Sequence, residues 1–271
     1  MAYRLLAVDL DGTLLRHDKR VDERDIAAIR EVAAAGVTVT IVTGRLRSGS
    51  EDAARATGIV GPIACVEGSH IVDVSTGKTH AHHPMSRAVT ELLRGTFAAH
   101  GLTSFVFGAD GIHHDAGGEP FTHYVNTWSP KLMQVEDAHH ADVWANEPLA
   151  GVAIGDAEAI AAAYATLQGQ GLFSVAFPIY NIEGKHAILA RAAGPTKGTA
   201  LAELCRMTGC TLAEAVAVGD WVNDVPMFEV AGRSFVMGNA PEHVRVKASD
   251  HLERVAGSGG GIAEAIRRAW G

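Results

Sequence analysis

The sequence predicts an α/β protein: a doubly wound parallel sheet with a second α/β domain inserted into it. Three observations carry this reading. Apolar runs of strand length alternate with helical periodicity near both ends of the chain. Several of these runs stop at acidic, hydroxyl or glycine residues, as in open sheets whose ligands gather at the carboxyl ends of the strands. The stretch from Pro84 to Ala190 carries strand and helix signals of its own.

Leu5-Leu6-Ala7-Val8 reads as the first strand, a short continuous apolar run of the kind buried on both faces of a parallel sheet. It runs into Asp9-Leu10-Asp11-Gly12-Thr13. Alternate side chains of an extended backbone share a face, so Asp9 and Asp11 are expected on one side, with Gly12 allowing a sharp turn beyond them. Two carboxylates so placed repel unless a cation or a proton intervenes. The alternative is an ordinary solvated Asp-Gly turn. Glu23 to Ala35 follows as an amphipathic helix, with Ile26, Ile29 and Val32 near helical spacing and Gly36 placed to end it. Val37 to Val42 is the second strand, ending in Thr43-Gly44-Arg45. A helix over Ser48 to Ala56 and a strand over Ile63 to Val66 complete a βαβαβ series, for which right-handed crossovers and a parallel sheet are expected.

The same grammar returns near the C-terminus. Gly194-Pro195-Thr196-Lys197-Gly198-Thr199 leads into a helix over Gly198 to Thr208. A lysine at a helix start suits an anion, since the helix N-terminus favours negative charge. The glycine spacing is not that of a Walker loop, and a solvated first turn is the open alternative. Ala215 to Val218 is a strand that ends in Gly219-Asp220-Trp221-Val222-Asn223-Asp224. Oxygen-bearing side chains clustered there favour a hard cation, magnesium before zinc or copper. A short helix over Pro226 to Val230 and a strand over Ser234 to Met237 follow. Ala256 to Gly261 lacks the spacing of a dinucleotide loop and reads as a flexible connection into a C-terminal helix.

The expected division is 1–83 and 191–271 as the two parts of a core, with 84–190 inserted between them. A structureless connection of that length is rare, and Gly117-Gly118, Ser129-Pro130 and Glu147-Pro148 punctuate it like a folded domain. Nine of the fourteen histidines fall between His80 and His140. Adjacent pairs such as His82-His83, His113-His114 and His139-His140 face opposite ways on a strand, and no His-x-x-x-His pair occurs, so these are read as surface or loop residues.

Composition bounds the function. A net charge of −8 without basic clusters argues against a nucleic-acid binder, while a small anion held by a few local cations stays open. No apolar run approaches the length of a membrane span. The three cysteines, Cys65, Cys205 and Cys210, form no Cys-x-x-Cys pair and fit reduced thiols. With the first strand beginning at once and no room for a signal peptide, a cytoplasmic location is expected.

Taken in order, Asp-x-Asp-Gly-Thr, strand-Thr-Gly-Arg, Lys-Gly-Thr and Gly-Asp-x-x-Asn-Asp resemble the four motifs of the haloacid dehalogenase superfamily. The placement of the insert resembles the α/β cap of its Cof-type sugar-phosphatase branch, as does Val236-Met237-Gly238-Asn239-Ala240. The resemblance implies a Rossmann-like core and a magnesium-dependent phosphatase acting on a small phosphorylated metabolite. It implies Asp9 as the nucleophile that becomes an aspartyl-phosphate, and Asp11 as the acid and base. Magnesium is implied at Asp9, the Asp11 backbone carbonyl and Asp220. Thr43, the Gly44 and Leu10 amides and Lys197 are implied as holders of the phosphoryl oxygens, with Asn223 nearby and Asp224 orienting its neighbours. The chain departs from that branch at Glu67-Gly68, where Asn-Gly is frequent, and at Trp221-Val222, where Gly-Glu is frequent. Trp221 either lines the entrance or packs on the cap.

Two other functions are compatible with these residues. A phosphosugar mutase of the same superfamily also uses an aspartyl-phosphate, and a non-catalytic sensor would bind a phosphorylated ligand without turnover. The presence of both Asp9 and Asp220 speaks against the sensor. Haloacid dehalogenation fits less well than a metal-dependent phosphatase pattern.

Overall fold

The computed structural model describes residues 3–180 and 182–271. They form two compact units. The first takes the chain as far as His82 and resumes from Pro195 to Gly271; the second is His83–Gly194.

The first unit is organised by a five-stranded sheet in the order Asp250–His251, Arg233–Val236, Ala215–Gly219, Leu5–Val8, Thr38–Ile41. Every pairing in it is parallel. Leu5–Val8 lies inside the sheet, between Ala215–Gly219 and Thr38–Ile41, and all four of its side chains are apolar and fully buried, as suits an interior strand covered on both faces. Its register sets Val8 opposite Val218 on one side and Ile41 on the other. The carboxyl ends of three strands therefore lie side by side, at the point where the strand order reverses.

Leu5 and Ala7 pack against Ala200, Leu201 and Leu204 of the helix Lys197–Thr208. Thr196 caps that helix by accepting from the Thr199 amide while the Thr199 hydroxyl accepts from the Thr196 amide, and Gly209 ends it at φ 70°. Gly198 is required for packing: a Cβ there would strike the carbonyl of Pro226. The helix Glu23–Ala34 is capped by Asp22, whose carboxylate accepts from the Arg24 amide.

Three expectations are adjusted. The third predicted strand forms as Pro62–Cys65, but most of its pairing lies in a separate antiparallel sheet with His70–Asp73 and Thr79–His82. It touches the parallel sheet through one bridge, Val42 to Ala64. The glycine-rich segment before the C-terminal helix Gly261–Trp270 is held rather than loose. The buried Asp25 carboxylate accepts from the amides of Gly260 and Ala263 at 2.9 and 2.8 Å, and Asn239 Oδ1 accepts from Ala256. Beyond Val8 the first strand is not extended as expected, since Leu10 lies in a turn.

The second unit is a six-stranded sheet in the order Leu172–Pro178, Lys185–Ala192, Ala150–Asp156, Thr103–Phe107, Ile112–His114, Leu132–Gln134. It is antiparallel except for its last pair. The strand Lys185–Ala192 carries this unit past Ala190. Its core joins Leu93 and Phe97 of the helix Arg87–Ala99 to Ile160 and Ala163 of the helix Ala157–Leu167, with Trp144 buried and donating its indole N–H to the Ala138 carbonyl. The histidines are not all surface or loop residues. His82 lies half-buried on a strand of the first unit, on which His80 is exposed as expected, and His114 is buried on the strand Ile112–His114 with its ring against Phe105. Among the described residues no histidine joins a cluster able to hold a metal ion. No helix of these residues is long and apolar enough to cross a membrane.

Candidate active site

The three adjacent strand ends deliver Asp9, Thr43 and Asp220, and the start of the helix Lys197–Thr208 delivers Lys197. Lys197 is almost completely buried. Its Nζ donates to Asp9 Oδ1 and to Asp224 Oδ1, each at 2.6 Å. A buried ammonium is tolerated only when paired, and here two carboxylates pair with it. Burial works to lower its pKa, but Asp224, Asp9 and Glu67 outweigh that and hold it well above the usual lysine value.

Asp9, Asp220 and Asp224 are all buried and can present one oxygen each within 4.8 Å of one another. Three carboxylates thus face one ammonium, an excess of negative charge in a poorly solvated place. Burial, opposed by Lys197 and reinforced by Asp224 and Asp220, raises the Asp9 carboxyl well above the ordinary range. Burial and then the Asp224 charge push Asp220 up to about 7. All the cluster's donor atoms are oxygens, so a divalent hard cation fits it in charge and in chemistry.

The three acids are fixed differently. Asp220 accepts from the Thr13 hydroxyl at 3.2 Å and from Asn239 Nδ2 at 2.9 Å. Gly12, at φ 80°, leaves room for it, since a Cβ there would collide with Asp220 Oδ2. Asp224 Oδ2 accepts from the amides of Asp220 and Trp221 at 2.8 and 3.0 Å, so Asp224 ties the loop after the strand Ala215–Gly219 to Lys197. Thr13 and Asn239 lay in quoted motifs without a role assigned to either.

Asp11 takes other partners than Asp9 does. Arg45 Nε donates to its Oδ2 at 2.7 Å, Arg45 Nη2 donates to its Oδ1, and Lys19 Nζ reaches Oδ1 at 3.2 Å. Burial alone would raise the Asp11 pKa, but the Arg45 hydrogen bond and charge, helped by Lys19, hold it below the usual carboxylate value. Arg45 itself is buried, and its role went unread although it closes the Thr-Gly-Arg motif.

Around this centre stand donors. Thr43 is fully buried, and its hydroxyl accepts from the Arg45 amide at 3.2 Å. None of the hydrogen bonds among the described residues uses the amides of Leu10 or Gly44. Asn223 donates through Nδ2 to Glu67 Oε1 at 2.9 Å. Trp221 is 54% exposed.

The model of the haloacid dehalogenase-like hydrolases matches residues 6–266, nearly the whole chain. The chain belongs to this family. This haloacid dehalogenase-type hydrolase is an enzyme of the Cof-type branch. It is 28% identical over 242 residues to an HMP-PP phosphatase of Yersinia pseudotuberculosis serotype O:1b, the match covering 88% of this chain and 85% of that protein. The HMP-PP phosphatase of Yersinia pestis strain Pestoides F matches with the same identity and coverage. In fold the hydrolase is similar to a haloacid dehalogenase-like hydrolase from Bacteroides thetaiotaomicron, with TM-score 0.84 and 22% identity over 99% of this chain and 100% of the other. A sugar phosphatase of HAD subclass IIB has TM-score 0.80 and 17% identity over 98% of each chain.

Proposed function

We propose that this hydrolase is a magnesium-dependent phosphatase that releases phosphate from a small phosphorylated metabolite, a sugar phosphate, through an aspartyl-phosphate. The observation that carries this reading is the buried Asp9 carboxylate, gripped on one oxygen by Lys197 beside Asp220, with the amides of Leu10 and Gly44 in no hydrogen bond among the described residues. Relatives named HMP-PP phosphatases and the sugar phosphatase of similar fold support the substrate class.

Lys197 orients Asp9 through Oδ1, which leaves Oδ2 to attack phosphorus. The bond from phosphorus to the ester oxygen breaks as the new bond to Asp9 forms, and Asp11 gives its proton to the departing alkoxide. Asp11 then takes a proton from a water molecule that attacks the aspartyl-phosphate, which returns Asp9 and frees phosphate. Thr43, the two amides and Lys197 hold the equatorial oxygens, where the transition state spreads its charge. Asp9, the Asp11 carbonyl and Asp220 are the residues that would hold magnesium. The cation, when bound, offsets repulsion between Asp9 and the phosphoryl oxygens. Arg45 favours the base form of Asp11 in the free protein, the form that the second half-reaction uses. For the first, Asp11 takes a proton from solvent as the negative charge of the ester enters beside it and raises its pKa, and that is the proton it passes to the alkoxide.

Phosphate release over a panel of hexose and pentose phosphates, nucleotides and HMP-PP, with and without magnesium, tests the reading. Metal-dependent release from sugar phosphates is expected. Formation of an isomeric sugar phosphate in place of free phosphate would identify a mutase, and binding without turnover a sensor.

A further inference from the structure

Glu67 occupies an unusual backbone position. Val66, Glu67 and Gly68 follow one another at φ 47°, 57° and 96°, a left-handed run that a β-branched valine rarely enters. Such backbone persists only where its surroundings over-determine it. Here the Val66 amide donates to the Arg45 carbonyl and the Glu67 amide to the Thr43 carbonyl, each at 3.0 Å. The loop that carries Thr43 and Gly44 therefore also dictates where Glu67 stands.

The Glu67 carboxylate leans over that loop. Its Oε1 lies 2.7 Å from the place a Cβ on Gly44 would take, and the same oxygen accepts from Asn223 Nδ2 at 2.9 Å. Among the described residues no lysine or arginine forms an ion pair with it. A carboxylate can accept several hydrogen bonds and donates none when ionised. One is accounted for, so a half-buried anionic acceptor is left at the rim of the Gly44 amide.

We propose that Glu67 is a specificity-determining residue: it selects phosphate esters that carry a hydrogen-bond donor, a hydroxyl or an ammonium, on the carbon next to the phosphorylated one, and it rejects a second anionic group there. The inference rests on the phosphatase reading, because only a phosphoryl group held by Thr43, Gly44 and Lys197 brings the rest of the ester against Glu67. Selection of this kind works through both signs, a donor that pairs with the carboxylate and an anion that meets it uncompensated.

The test compares kcat/KM with magnesium for four esters of nearly equal size: phosphoethanolamine, ethylene glycol phosphate, propyl phosphate and phosphoglycolate. The wild-type protein should favour the first two over propyl phosphate and turn over phosphoglycolate most slowly. In Glu67→Gln the ratio of phosphoethanolamine to phosphoglycolate should fall about tenfold or more, the loss expected for one hydrogen bond to a charged group. Glu67→Asn should do the same and serves if the glutamine variant fails to fold. An unranked wild-type series, or an unchanged ratio in a folded, active variant, overturns the role of Glu67 alone. Failure of the wild-type protein with magnesium on all four esters and on p-nitrophenyl phosphate overturns the phosphatase reading and Glu67's role with it.

Discussion

Arg45 holds both carboxylate oxygens of Asp11, with Nε 2.7 Å from Oδ2 and Nη2 on Oδ1. The pair joins two strand-end loops, and it decides the protonation state of the proposed acid and base. Because Arg45 outweighs the effect of burial, Arg45→Met should let the Asp11 carboxyl titrate at higher pH. Carbon-13 NMR of the aspartate carboxyls, assigned through Asp11→Asn, reads this directly. An Asp11 titration that stays in place would show that Lys19 alone keeps the carboxyl low.

Asp9→Asn separates chemistry from stability. Turnover should fall about ten-thousand-fold or more, as for loss of a nucleophile. The same change removes one of three clustered carboxylates while Lys197 keeps its bond to Asp224. The melting temperature without metal should therefore hold or rise. A marked drop would mean that the Asp9 charge supports the fold more than it strains it.

The parts of this site differ in how legible they were. The strand ends could be read because parallel strands are continuous apolar runs, and the residue after each run, Asp9, Thr43 or Asp220, inherits its place from the sheet. The contacts of Asp11 could not be read from alternation, since the chain turns at Leu10 and the carboxylate finds an arginine 34 positions away. Such a pairing depends on where two loops meet, which no local period encodes. Glu67 lay beyond the reach of pattern as well: its placement depends on a left-handed run at Val66 and Glu67, residue types that do not announce one.

Lys197→Met should be the most damaging single change to stability in the first unit. It would leave Asp9 and Asp224 buried without their shared partner, a situation that costs about 3–5 kcal/mol. Urea unfolding without metal measures the loss. A variant as stable as the wild type would show that the acids simply take up protons.

Magnesium should stabilise this protein more as pH rises. In the folded state Asp220 titrates near about 7, against an ordinary value of 3.8, so between these limits the folded protein holds a proton that the unfolded chain has released. Stability without metal therefore declines as pH rises through that window and stays low above it. A cation competes with the proton for the ionised carboxylate. The melting-temperature gain from magnesium should be larger at pH 8 than at pH 5.5, and Asp220→Asn should abolish it. An equal gain at both values would place the cation away from Asp220.

His70 should make the protein acid-sensitive in a separate window. It is buried on the strand His70–Asp73, with Nε2 bonded to the Thr79 hydroxyl at 3.0 Å and its ring 5.7 Å from that of His82. Burial first, then His82 and Arg47, push its pKa down to about 4 from 6.5. Between these values the unfolded chain binds a proton that the folded state refuses, so stability is intact above about pH 6.5 and is lost as pH falls toward 4. The shift corresponds to a loss of about 2 kcal/mol between pH 7.5 and pH 5 from this residue. His70→Gln keeps a polar partner for Thr79 without a titrating ring. Urea unfolding at the two pH values should show the wild type losing about 2 kcal/mol more than the variant. Equal losses in both proteins would assign the acid sensitivity to other groups.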